Sequence, residues 1–492
     1  MTAPRPAAGP LSRVGALQSG FHYQNLIAWT AAMRVIQPGS PYNQLEIEVN
    51  DAGNVDDVIL RAIADRHRYA QVKWAAKTAD LINDAYLTVP PSKTGKALLT
   101  KFHASWKLLR RRDDAPPIME LTTNRALDPG DPLLSLVDGR TDCLNPLARL
   151  ADPSSEAGRR IDDWAKLLKC DRDEVLAMLD ALFFKVGLTV SSEEDRARTL
   201  MLANGLLCDK DALDRGVGLV AEWVREGRRV LSPEDIRTEV ERVNLHADDP
   251  RGVLLVQAIK HDPHPEDATV DLDWVDLYEG DSPPLRRRPR DPADWATMSN
   301  DIDQAVETIA LLGHKDIVLR GFMRQATFFT VGARFAQVSG TTITYLQNGD
   351  AWASNAKHVA VPAPTGVITT IGSGNELAVA IGMSIDPTTA VARYITDANL
   401  PVGRILTLLP ADGAHDQSVA GSGEAVAYAQ ALRNAIRQEL ERDPATRVHL
   451  FLAGPGGLAL LLGHRWNRVA PTAVYEDLGT GRGYVQAFTV DA

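Results

Sequence analysis

The chain has 492 residues, 45% of them hydrophobic, with a formal net charge of -11 and three cysteines. That length excludes one compact core and points to two to four domains. The acidic balance excludes a protein coated in basic surface but leaves room for a local basic groove on DNA, and Cys143, Cys170 and Cys208 form no C-x-x-C pair and no zinc constellation, which fits a reducing cytoplasm.

The first dozen residues are rich in Pro and Ala, show no apolar signal core and read as loose chain. GALQSGFHYQNLIAWTAAMRVI follows as a helix preceded by Gly20, with Phe21, Leu26, Ile27 and Met33 on its buried stripe and Tyr23 and Gln24 near its start. After the turn chemistry of PGSPYNQ comes the strand QLEIEV, carrying Glu46 and Glu48. DDVILR reads as a strand, ADRHR as a hairpin turn and YAQVKW as the partner strand. Alternation puts Tyr69, Gln71 and Lys73 on one face and Ala70, Val72 and Trp74 on the other.

An acidic residue on one strand, a lysine on the same face of its neighbour and a metal-capable amide two residues before that lysine suit phosphodiester hydrolysis. Asp57 would hold a divalent cation that polarises the phosphate. Lys73 would orient the attacking water and offset charge on the phosphate oxygens. Gln71 can coordinate through its carbonyl oxygen but brings no charge, so a further carboxylate must help. Glu48 is preferred for that role, with Glu46 and Asp56 also near in sequence; the metal set is then Asp57, Gln71 and Glu48. The same residue types also occur on polar sheet faces that do no chemistry. The spacing Asp-x(n)-Gln-x-Lys resembles a variant of the restriction-endonuclease-like core, PD-(D/E)xK, with glutamine in place of the second acid. In such folds the first helix commonly lends a polar side chain to the site, which makes Gln24 a candidate.

Beyond Trp74 a polar loop leads into a helix with Lys77, Lys93, Lys96, Lys101, Lys107, Arg110, Arg111 and Arg112 along the way. They are either a DNA-backbone footprint or a solvated helix end. IMELTTN is a short buried strand that continues the sheet. Residues 146 to 245 read as helical, including RDEVLAMLDALFFKVGL and the capped start Ser232-Pro-Glu-Asp. Residues 246 to 296 are dense in proline and acid, with short strand material at Val270, Leu272 and Val275. The arginines at 286, 287, 288 and 290 are expected to pair with surrounding aspartates rather than with nucleic acid.

From Met298 an α/β rhythm sets in, and two Rossmann-like halves are expected, with ligand-binding loops at the carboxyl ends of their strands. Gly454, Pro455, Gly456 and Gly457 follow a buried strand and precede a helix, where backbone N–H groups can receive phosphate. The turn is neither a P-loop nor a dinucleotide fingerprint. Arg320 and Arg324 would supply charge at the matching place in the first half. Trp352, Trp466 and Tyr475 are either base-stacking groups or core anchors, Trp466 being preferred for stacking because Arg465 and Arg468 flank it. His449 and His464 are assigned structural roles.

GFHYQ at 20–24, NVDDV around Asp57, QVK at 71–73, TTN ending at Asn124, DIVLRGFMR at 316–324, HLFLAGPGGLALLLGHRWNRV and VYED at 474–477 stand in one order along the chain. Together they resemble the effector endonucleases of cyclic-oligonucleotide-based anti-phage signalling systems, which join an N-terminal double-stranded DNA endonuclease domain to a C-terminal SAVED domain. The resemblance implies an α/β chain. Residues 1–240 would be the restriction-endonuclease-like domain with its helical extension. Residues 241–296 would be a connecting segment, standing alone or belonging to the next domain. Residues 297–492 would be a sensor of two fused CARF-like units. It further implies a cytoplasmic enzyme, without membrane partner, that cleaves duplex DNA with Mg²⁺ or Mn²⁺. A cyclic di- or trinucleotide from a partner nucleotidyltransferase would activate it through homo-oligomer formation. Asp57, Gln71, Lys73, Glu48 and Gln24 are the expected hydrolytic residues; Arg320, Arg324, Gly454, Pro455, Gly456, Trp466 and Tyr475 are the expected ligand contacts. The alternative is a nucleotide-responsive scaffold whose nuclease-like domain is inactive.

Overall fold

The computed structural model describes residues 13–49, 52–77, 79–144 and 146–491, so the proline- and alanine-rich start lies outside the described residues. The chain divides into two compact units, Met1–Asp249 and Pro250–Ala492.

The first unit opens with α1 (Arg13–Ile36). The helix runs straight through Gly20 instead of starting after it, since 24 helical residues easily absorb the roughly 1 kcal/mol that one glycine costs. Tyr23, Leu26, Ile27, Trp29 and Met33 form the buried stripe, but Phe21 is 60% exposed. Phe21 lies two positions before Tyr23, about 200° around the helix, and therefore faces away. β1 (Tyr42–Ile47), β2 (Val58–Ala62) and β3 (Arg68–Lys73) form an antiparallel meander. The short α2 (Asp84–Thr88) and the longer α3 (Leu98–Arg112) then cross over to β4 (Ile118–Thr123), which lies parallel to β3.

Next come α4 (Pro146–Arg149), α5 (Glu156–Leu168) and α6 (Arg172–Leu179). LFFK is not the end of a helix, as its periodicity suggests, but β5 (Leu182–Lys185), parallel to β4. A short apolar run such as Leu182–Phe184 fits either state, and pairing with β4 decides it. α7 (Val190–Ala203) and α8 (Lys210–Glu226) are followed by β6 (Val230–Leu231), antiparallel to β1. α9 (Pro233–Arg242) begins in the expected capping box of Ser232 and Asp235, with proline in its first turn. The sheet order is β5-β4-β3-β2-β1-β6, so the helical region does more than brace the sheet: it supplies both edge strands.

The second unit begins earlier than its α/β rhythm shows. β7 (Gly252–Gln257) lies in the segment expected to connect domains, yet all six of its residues are buried. Such continuous burial belongs to an interior parallel strand. β8 (Val270–Asp273), α10 (Asp294–Leu311), β9 (Ile317–Phe322), α11 (Gln325–Arg334), β10 (Ile343–Gln347) and β11 (Asp350–Ala353) complete a sheet ordered β11-β10-β9-β7-β8, parallel except for β11. The second sheet takes β12 (Thr365–Thr370), β13 (Glu376–Gly382), β14 (Val402–Leu409), β15 (Val448–Ala453), β16 (Thr472–Asp477) and β17 (Tyr484–Val490). Its helices are α12 (Thr388–Asp397), α13 (Ser422–Arg442) and α14 (Gly456–His464). The order is β12-β14-β13-β15-β16-β17, with four parallel strands between two antiparallel edges. These are the two Rossmann-like halves.

One hydrophobic core joins both halves, with Leu254 and Leu319 of the first and Val379, Leu450 and Val474 of the second. Its centre is the contact between α11 and α14. A Cβ on Gly332 would stand 2.1 Å from the Leu460 carbonyl oxygen, and one on Gly463 2.0 Å from that of Phe329. The two helix backbones touch, and only glycine fits at either place.

Candidate functional site

In the first unit the β2–β3 hairpin pairs Val58 with Ala70, which leaves Asp57 just outside the strand and opposite Gln71. Oδ2 of Asp57 accepts from the Gln71 side-chain amide and, at 2.7 Å, from the backbone N–H of Val72. The Lys73 ammonium stands 3.8 Å from the same oxygen. Glu48 follows β1 in a left-handed conformation, φ 50°, and its N–H donates to the Asp57 carbonyl at 3.3 Å. The Gln24 amide donates to Glu48 Oε1 at 3.1 Å, and Arg229 holds the Glu48 carbonyl at 2.7 Å. Gln24, Glu48, Asp57, Gln71 and Lys73 are thus brought together by α1, β1, β2 and β3. Glu46 is not available to them, because Arg61 grips both its carboxylate oxygens at 2.6 and 2.8 Å.

The charges bear on one another. Burial, and then the neighbouring Asp57 charge, push the Asp56 carboxyl above its usual range. Burial lowers the pKa of Lys73, Asp57 and Asp56 work against that, and Lys101 of α3 adds to it. Two supports were not legible beforehand. Ser105 of α3 accepts from the Asn54 N–H at 2.8 Å, fixing the loop that enters Asp56 and Asp57. Asn124 makes two 2.8 Å hydrogen bonds with the Ala75 backbone, fixing the chain just beyond Lys73. No local pattern announces contacts between residues so far apart in sequence. Of the basic run on α3, Lys107 bonds Glu174, Arg112 bonds Asp113 and Tyr69, and Arg110 lies over the Trp106 ring.

As a cation site, Asp57 and Gln71 offer oxygen donors side by side, with Glu48 anchored behind them. Gln71 faces Asp57 through its amide nitrogen, and a half-turn of the amide would present the oxygen instead. An all-oxygen set suits a hard divalent ion such as Mg²⁺.

In the second unit the expected ligand residues separate into two groups. Arg320 is committed internally: its guanidinium bonds Asp262 at 2.6 and 2.9 Å and Asp267 at 3.0 Å. Trp466 is 5% exposed, donates to Thr472 and packs its ring edge against Phe329. Its flanking Arg465 is itself buried, bonded to the Ser354 carbonyl at 2.7 Å. Tyr475 is 3% exposed, stacks on Phe451 and meets His449, while Trp352 is buried too. None of the three aromatic rings is accessible to a base. His449 also meets Glu376, and buried His464 meets the Phe335 carbonyl.

Gly454, Pro455 and Gly456 meet the first half at Gln325 and Phe328 of α11, whereas half-buried Arg324, next to Gln325 in sequence, turns its guanidinium to the Pro283 and Arg286 carbonyls. Gln325, in the first turn of α11, donates its amide to the Gly454 carbonyl at the start of α14, so the strand-end turns of the two halves touch. A small hollow beside them is lined by Gln325, Met383, Gly454, Pro455 and Leu458. In the arginine run, Arg288 meets Glu279 and Arg287 meets Asp477, whereas Arg286 and Arg290 bind carbonyl oxygens.

Beneath the same turns Glu476 is buried and accepts from the Ala326 N–H at 3.0 Å. Burial raises its carboxyl from the usual 4.5 to about 7, opposed by that N–H and by Arg324, while Asp477 adds to the rise. Between those two values the folded chain holds a proton that the unfolded chain has released, so this carboxyl's contribution to stability falls as pH climbs. Glu476→Gln should therefore flatten the loss of thermal stability between about pH 5 and pH 7, measured by unfolding scans on both proteins.

Residues 296–490 match the family model described as the SMODS-associated and fused to various effectors sensor domain, SAVED. Over 93% of its length the chain is 22% identical to CD-NTase-associated protein 4 of Enterobacter hormaechei subsp. hoffmannii (strain UCI 50), covering 95% of that protein. Among solved structures, the Acinetobacter baumannii Cap4 SAVED/CARF-domain containing receptor with the cyclic trinucleotide 3'3'3'-cAAA is 16% identical, with a TM-score of 0.44 over 98% of this chain and 100% of that one. The Moraxella osloensis Cap4 receptor is 15% identical, with a TM-score of 0.42 over the same shares of the two chains. Among the described residues no helix is long and apolar enough to cross a membrane.

Proposed function

We propose that this chain, whose residues 296–490 match the SAVED sensor-domain family, is an anti-phage effector in which a cyclic oligonucleotide, sensed by the second unit, releases metal-dependent cleavage of double-stranded DNA by the first. The observation that carries the reading is the convergence of Asp57, Gln71 and Lys73, backed by Glu48 and Gln24, on one end of a mixed sheet. The likeness to CD-NTase-associated protein 4 spans both units and supports a partner nucleotidyltransferase as the source of the ligand.

In this reading Asp57, Gln71 and Glu48 hold a divalent cation, which when bound polarises the scissile phosphate and acidifies its water. Lys73 carries its charge where the phosphate oxygens become more negative, and its ammonium orients the attacking water. Asp56 adds negative charge beside Asp57 and makes up for the neutral amide of Gln71. In the second unit the ligand sits over the touching turns at Arg324 and Gly454–Gly456, where backbone N–H groups meet phosphate. Assembly of several chains would then add weak DNA contacts into a tight grip, which an acidic monomer lacks.

The test is cleavage of supercoiled plasmid with Mg²⁺ against a panel of cyclic di- and trinucleotides that includes 3'3'3'-cAAA. Nicking and linearisation should require one member of the panel and disappear with EDTA. Ligand binding without DNA cleavage under Mg²⁺ or Mn²⁺ would instead establish the inactive-scaffold reading.

A further inference from the structure

A second cluster of donors lies in the first unit and takes no part in the chemistry above. His103 on α3, Cys170 just past α5 and Glu174 in the first turn of α6 bring one ligand atom each to within 4.8 Å of one another. Among the described residues no other group of three His, Cys, Asp or Glu donors converges in this way. We propose that His103, Cys170 and Glu174 form a binding site for a borderline-soft divalent cation, zinc in the first instance.

The donor set selects the metal. One imidazole, one thiol and one carboxylate are the ligands of zinc and cobalt, whereas the oxygen donors around Asp57 suit magnesium. The three side chains come from α3, the α5–α6 junction and α6, and His103 and Glu174 are oriented before any metal arrives. The His103 ring lies nearly parallel to Trp106 at 6.1 Å, and its Nε2 meets Glu174 Oε1 at 2.7 Å. Cys170 lies two residues before α6 begins, and Glu174 sits in the first turn of that helix. His103 is buried while the other two are half-exposed, which gives an ion a way in and leaves its fourth position to solvent.

Without metal, Lys107 supplies the positive charge, donating to Glu174 Oε1 at 2.9 Å. Burial, then Glu174 and Asp171, push the Cys170 thiol pKa up, and Lys107 works against them. Binding of Zn²⁺ forms bonds to the His103 nitrogen, the Cys170 sulfur and a Glu174 oxygen. It releases the Cys170 proton to solvent and frees Lys107 from the carboxylate. The bound ion would pin α3 to the α5–α6 junction. Since Ser105 of α3 anchors the loop that enters Asp57, the clamp would also steady the candidate hydrolytic site, although the metal site itself stands independently of the nuclease reading.

The experiment is a Co²⁺ titration of the full chain after treatment with chelator. One equivalent should produce a thiolate-to-cobalt charge-transfer band in the near ultraviolet, and Zn²⁺ should erase it. Cys170→Ser should remove the band, while Cys143→Ser and Cys208→Ser keep it. Should Cys170→Ser fail to fold, Glu174→Gln is the second variant: it should keep the band and weaken metal affinity about tenfold or more, because it replaces a charged ligand by a neutral one. A parent protein with no such band at one equivalent, a band that survives in a folded Cys170→Ser, or unchanged affinity in Glu174→Gln would overturn the proposal.

Discussion

Lys73→Ala is expected to lower ligand-activated DNA cleavage by roughly 10²–10³-fold, the usual loss when one charge-stabilising group is removed from a hydrolytic centre. Stability should scarcely change. The Lys73 side chain is 41% exposed and stands 3.8 Å from Asp57, so its truncation strands no buried partner. The expected shift in unfolding free energy is within about 0.5 kcal/mol. Ligand affinity should match the parent, because Lys73 belongs to the other unit. Single-turnover cleavage, thermal unfolding and ligand binding measured on one preparation separate these effects. A Lys73→Ala protein that cuts DNA at the parent rate would place the hydrolytic centre elsewhere.

Arg320→Ala should act in the opposite manner, with a large loss of stability. Arg320 is a cation between two acids, Asp262 and Asp267, of which Asp267 is fully buried. Removing one partner of a buried ion pair costs about 3–5 kcal/mol, because it leaves uncompensated charge behind. Here two carboxylates would lose the guanidinium they share. Arg320→Lys should recover only part of the loss, since an ammonium cannot reproduce the forked contact to Asp262 together with the bond to Asp267. Denaturant unfolding of the full chain, followed by tryptophan fluorescence, is the measurement. An Arg320→Ala protein of parent stability that had lost only ligand binding would return Arg320 to the pocket.

These two residues show where reading the sequence succeeds and where it stops. Asp57, Gln71 and Lys73 lie on one hairpin, so strand alternation and a short turn are enough to bring them together. Gln24 and Glu48 were within reach for the same reason, being carried by the helix and strand just before. Arg320 stands at the end of a strand as a ligand contact would, but its partners are 58 and 53 residues earlier, in a segment whose composition suggested a connection. Trp466 drew attention through its flanking arginines, yet Arg465 is buried and bonded to a carbonyl. Residue type and spacing reveal what a side chain can do; which partner has already claimed it depends on contacts across the fold. The same holds for β5 and β7. Their apolar runs were visible, but their neighbours in the sheet were not.

The order of strands in the first unit has a consequence for biosynthesis. A ribosome delivers β1 to β4 by residue 123, whereas the two strands that close the sheet end at residues 185 and 231. At elongation rates of about 5–20 residues per second, β1 and β4 stay without their outer neighbours for on the order of ten seconds. A nascent chain in that interval exposes the edges of β4 and β1, which the finished sheet covers with the short strands β5 and β6, and a chain truncated between those points is expected to aggregate more readily than the full one.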